Sequence, residues 1–138
     1  MKRHRKDEAL FEALAAFNER FAKLQDVLGA AMRHAFLLHG ENPENFLKVL
    51  AWYEKQGVVD SIETWQILRT IRNLAAHEYE IDYEKIAEHF NALHEALPVL
   101  YRIAARFLTH CQSQLRIGPA SQDFGAEFEQ AITEIAQD

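Results

Sequence analysis

The sequence is short of the residues that end or interrupt helices, with five glycines and three prolines in 138 residues. So few breaks leave room for a few long elements and exclude a fold of many short strands. A single cysteine, Cys111, excludes an internal disulfide framework and suits a reducing compartment. No apolar run is long enough to span a bilayer. The basic start, Lys2 to Lys6, leads into Asp7 and Glu8 and not into an apolar stretch, so no signal peptide is indicated. A cytoplasmic protein without membrane contact is expected. Positive charge is also scarce: 15 Lys and Arg against 21 Asp and Glu give a net charge of −6 and a pI near 5.6. A protein that coats nucleic acid through its overall field would be basic. Any RNA contact therefore has to be local, or helped by a partner.

Other chemistries lack their residues as well. No glycine-rich phosphate loop is present, so the chain is not itself a nucleotidyltransferase or an ATPase. There is no cysteine pair for zinc and no Glu-x-x-His for a di-iron site. His34 and His39, like His89 and His94, lie five apart, which is poor spacing for one helical face. No metal and no cofactor are expected, and these histidines read as structural or surface groups. Cys111 reads as a buried thiol and not a nucleophile.

What is abundant is helical periodicity. Leu10, Leu14, Phe17, Phe21, Leu24, Leu28, Ala31, Ala35 and Leu38 alternate by four and three, and Phe11, Val27, Met32 and Phe36 widen the stripe. This predicts a first helix from about residue 7 to 39, roughly 50 Å long. Gly40 stops it. Asn42, as N-cap before Pro43, opens a second helix to about Gln56, and Gly57 ends that one. Asp60 to Glu63 resembles a capping box and opens a third helix to about Glu78. A fourth starts at Asp82, with Ile86, Phe90, Leu93, Leu97, Leu100, Ala104 and Phe107 as its core stripe. Pro98 lies inside that stripe and predicts a kink, not a stop, because the spacing continues past it. Gly118-Pro119 is a break. Beyond it Phe124, Phe128, Ile132 and Ile135 mark a short amphipathic tail helix. The expectation is an all-α antiparallel bundle of two long and two short helices over residues 1–117, then a linker and tail over 118–138.

The third helix carries the chemistry. Ile67, Leu68, Ile71, Leu74 and Ala75 are expected to face the bundle. Trp65, Arg69, Arg72, Asn73, Ala76 and His77 are expected on the other side. An outward Trp65 calls for a covering surface, which a two-fold dimer supplies most simply. That dimer would bring two copies of Arg72 and His77 to one cleft. Arginine offers a planar fork that fits a phosphate, and histidine exchanges a proton near neutral pH. Together they suffice for attack of an RNA 2′-hydroxyl on its own phosphodiester without a metal. His77 would take the 2′ proton, Arg72 would stabilise the charge growing on phosphorus, and the product would be a cyclic phosphate. Asn73 lies four before His77 and is its neighbour on the helix, and Arg69 would help to hold the RNA.

At Arg72-Asn73-Leu74-Ala75-Ala76-His77-Glu78-Tyr79 the chain resembles the HEPN superfamily, in particular the HepT-like toxins encoded beside small nucleotidyltransferases. The shared pattern is Arg, four residues, His, one residue, Tyr, at the end of the third helix of an all-α bundle. The resemblance covers about residues 7 to 115. It implies the toxin of a toxin–antitoxin pair: a homodimeric, metal-independent endoribonuclease with Arg72, Asn73 and His77 at the dimer cleft. It also implies a partner nucleotidyltransferase antitoxin that transfers AMP to Tyr79. A bulky phosphate-bearing group there would occupy the cleft and compete for Arg72. Some members of the superfamily are read instead as non-catalytic substrate-binding subunits of the nucleotidyltransferase. That remains the alternative, and a helical adaptor with no site chemistry is a third possibility.

Overall fold

The computed structural model of the chain describes residues 2–74 and 83–116. Four helices follow one another: α1 (Lys2–Leu38), α2 (Phe46–Lys55), α3 (Ile62–Asn73) and α4 (Tyr83–His110). A π-helical turn, Cys111–Leu115, extends α4. Among the described residues there is no strand, so the all-α expectation holds. No described helix is long and apolar enough to cross a membrane. The tail expected after Gly118 lies outside the described residues.

Local chemistry sets the helix ends. Gly40 and Gly57 adopt φ of +83° and +78°, a region that costs other residues energy, and each closes the helix before it. Asn45, not Asn42, caps α2: its Oδ1 accepts the Lys48 amide at 2.9 Å. Asn42 and Pro43 therefore belong to the connection. At α3 the cap is Ser61, whose Oγ accepts the Thr64 amide at 3.0 Å. Asp60, read from sequence as part of that cap, instead binds α4, receiving Arg102 Nη2 at 2.8 Å and Arg106 Nη1 at 2.5 Å. α4 runs through Pro98, as its uninterrupted apolar spacing requires.

The core lies where the two long stripes meet. Leu14, Phe21, Leu28, Met32, Ala35 and Phe36 of α1 are buried, as are Ile86, Leu93, Leu100, Ala104 and Phe107 of α4. α2 adds Val49, Leu50 and Tyr53, and the Tyr53 hydroxyl donates to the Met32 carbonyl at 2.8 Å. Part of the expected stripe faces outward: Phe11, Val27 and Leu38 are exposed, because α1 has only one side covered by α2, α3 and α4.

The largest correction concerns α3. Trp65 is not outward; it is 2% exposed and belongs to the core with Leu68. Its ring packs against Phe46 with centroids 5.7 Å apart. Gly29 of α1 makes the space, since a Cβ there would stand 3.3 Å from both rings. Of the aliphatics expected in the core, Leu68 is buried and Ile71 is partly buried against it, whereas Ile67 is 50% exposed and Leu74 40%. Both assignments followed from taking the aliphatics as the core face. Trp65, Leu68 and Arg72, at spacings of three and four, form the side that meets α1.

Candidate functional site

Arg72 stands in the last turn of α3, on the side that faces α1. Its guanidinium is gripped there at three points. Nη1 donates to Asp26 Oδ1 at 2.6 Å and to the Ala22 carbonyl at 3.2 Å, and Nη2 donates to Asp26 Oδ2 at 3.1 Å. The Arg72 side chain is 15% exposed, while that of Asp26 is 64% exposed. The site thus lies at the rim between α1 and α3. Hydrogen bonding from Arg72 holds the Asp26 carboxyl below the ordinary carboxylate value, against a smaller opposing effect of burial; the charges of Arg72 and Arg69 act in the same direction. Asp26 is therefore an anion at neutral pH and Arg72 a fixed cation.

A second grip comes from α4. His89 is buried, and its Nε2–H donates to the Ile71 carbonyl at 2.8 Å. That carbonyl belongs to the final turn of α3, where the Leu74 amide also points at it, so His89 reinforces the helix end from outside. The turn carrying Arg72 is thereby tied to α1 on one side and α4 on the other. Asn73 and Arg69 are exposed on the same segment. His77 and Tyr79 lie outside the described residues. Of the sequence-derived set, Arg72, Asn73 and Arg69 fall within two helical turns at the end of α3.

Three features of this bundle escaped sequence reading. Asp26 is one acidic residue among many on α1, and nothing in sequence links it to a residue 46 positions away. His89 is better marked, because it follows Ile86 by three and precedes Leu93 by four, a core register. His110 extends the Ile103–Phe107 stripe in the same way. It meets His39 across the bundle with Nε2 atoms 2.9 Å apart, beside Trp52 and Tyr53.

These buried imidazoles carry a pH expectation. Burial lowers the pKa of His89 from 6.5, partly offset by its bond to Ile71; burial, then the neighbouring His39, lowers that of His110. Both rings stay neutral in the fold at pH values where the unfolded chain already binds protons. Their stabilisation is complete above 6.5 and is lost as the pH falls below it. Denaturant midpoints measured from about pH 7.5 to about pH 5 should decline. A His89→Gln, His110→Gln double variant should decline less steeply; an identical decline would contradict the assignment.

No protein-family model, curated protein or solved structure matches the chain.

Proposed function

We propose that the protein is a metal-independent endoribonuclease of the HEPN type, with Arg72 and His77 as its catalytic pair and Asn73 and Arg69 in support. The observation that carries this reading is the state of Arg72. The one arginine of the motif is a largely covered, three-point-anchored cation at the end of a helix, not a swinging surface group. A preorganised cation stabilises developing phosphorane charge better than a mobile one.

In the reaction, His77 removes the 2′ proton and the 2′ oxygen bonds to phosphorus. The bond from phosphorus to the 5′ oxygen breaks, and that oxygen takes a proton from solvent. The products are a 2′,3′-cyclic phosphate and a 5′-hydroxyl. Arg72 neutralises the non-bridging oxygens as charge accumulates.

A two-fold dimer fits the exposed surface of α3, although through residues other than Trp65. Ile67, Ile71 and Leu74 form an apolar strip at spacings of four and three. Beside it, a shallow cavity of about 260 Å³ is lined by Ile67, Ile71, Ala92, Ala96 and Val99. Such a strip covers itself in an isologous contact. The acidic net charge makes this dimer a short-range binder of RNA. AMP transfer to Tyr79 by a partner nucleotidyltransferase is the switch the motif implies.

Incubating single-stranded and structured RNA with the purified protein in excess chelator tests the reading. The expected outcome is endonucleolytic cleavage by a species of dimeric mass. RNA left intact across both substrate types would refute it. The substrate-binding alternative would then be favoured by an AMP-sized mass gain that is lost in Tyr79→Phe.

A further inference from the structure

The bond pattern of Arg72 points to a residue outside the motif. A guanidinium has five N–H groups. Three are taken: Nη1 uses both of its hydrogens, on Asp26 Oδ1 and the Ala22 carbonyl, and Nη2 uses one, on Asp26 Oδ2. The carboxylate therefore holds the end of the fork. The two remaining N–H groups, on Nε and Nη2, have no partner among the described residues and lie side by side along the other edge. Two parallel N–H groups are the geometry that receives two oxygens of one phosphate.

We propose that Asp26 is a positioning residue for this site: it clamps the Nη1–Nη2 end of Arg72 so that the Nε–Nη2 edge is presented to the non-bridging oxygens of an RNA phosphodiester. The inference rests on the ribonuclease reading. Asp26 does not touch the substrate. It acts by removing rotation from the guanidinium, so that the phosphate meets an oriented fork and not a swinging one. Its backbone support is rigid, because Ala22 and Asp26 are successive turns of α1 and both contact the same guanidinium. The Arg72 hydrogen bond is what chiefly lowers the Asp26 pKa, and the charge of Arg69 adds to it.

Asp26 is itself an anion beside a site for an anion, and this separates positioning from simple charge. Removing its charge should ease RNA binding while spoiling the orientation of Arg72. The expected result for Asp26→Asn is a kcat lowered by about tenfold to a hundredfold, with KM unchanged or lower. Asp26→Glu, which keeps a carboxylate on a longer arm, should recover part of the kcat. Because Asp26 is exposed, neither substitution should shift the melting temperature appreciably.

The experiment measures kcat and KM on one RNA in chelator for the wild type, Asp26→Asn and Asp26→Glu. A kcat in Asp26→Asn equal to that of an active wild type overturns the positioning role and leaves the ribonuclease reading standing. A raised KM with unchanged kcat also overturns it. An inactive wild type overturns both.

Discussion

Replacing Arg72 with alanine is expected to lower RNA cleavage by a factor of about 10² to 10³, the usual loss when one preorganised charge-stabilising group is removed. The fold should survive. The Arg72–Asp26 pair has one partner largely in water, and such pairs contribute at most about 1 kcal/mol. Arg72→Lys should recover little activity, because an ammonium lacks the planar fork that can engage a carboxylate and a phosphate at once. His77→Ala should cost about 10² to 10⁴. The measurement is initial cleavage rate in chelator, beside circular dichroism and thermal melting of each variant. Full activity in a folded Arg72→Ala protein would remove Arg72 from the reaction.

The second large effect concerns Trp65→Ala, which is expected to cost about 3–5 kcal/mol of folding stability. The indole fills the space between α1 and α2, against Phe46 and over the bare backbone at Gly29. Removing it leaves a void that Gly29 has no side chain to fill. A domain of this size has about 5–15 kcal/mol in total, so the variant should unfold at far lower denaturant concentration. The carbonyl of Trp65 also accepts from Gln25 Nε2 at 3.2 Å, and Gln25 is buried with its Oε1 unpartnered among the described residues. The Trp65 position is therefore doubly sensitive to any shift of α3. Urea unfolding followed by circular dichroism gives the value. A change below about 1 kcal/mol accompanied by loss of a dimer would instead mean that Trp65 is a surface contact.

The contrast between these two residues shows what was legible in the sequence. The long apolar stripes of α1 and α4 could be read directly, because a repeated spacing of four and three over many turns has only one geometric meaning. The short α3 could not be oriented in the same way. Its twelve residues carry Ile67 and Ile71 toward one side and Trp65 with Arg72 toward the other, with Leu68 between, so two core faces compete. The choice between them depended on Gly29, whose missing side chain matters only once α1 and α3 are in contact. The caps show the same limit: Asn42 and Asn45 are equally good cap residues, and the amide of Lys48 decides between them.

The candidate site divides similarly. Arg72, Asn73 and the proposed base His77 are singled out by their chemistry and spacing along one segment, the last of them outside the described residues. Asp26, Ala22 and His89 are not, because each reaches the end of α3 from another helix through a contact with no local signature. Yet these contacts make Arg72 different from an ordinary helical arginine, whose charge would be screened by water.

The end groups of RNA fragments made in chelator test the central claim most directly. If Arg72 and His77 drive internal attack by the 2′ oxygen, mass spectrometry of the fragments will find 2′,3′-cyclic phosphate or its hydrolysis product on one side of each cut, and 5′-hydroxyl on the other. Fragments with 3′-hydroxyl and 5′-phosphate ends, or cleavage that appears only when a divalent metal is restored, would contradict the account.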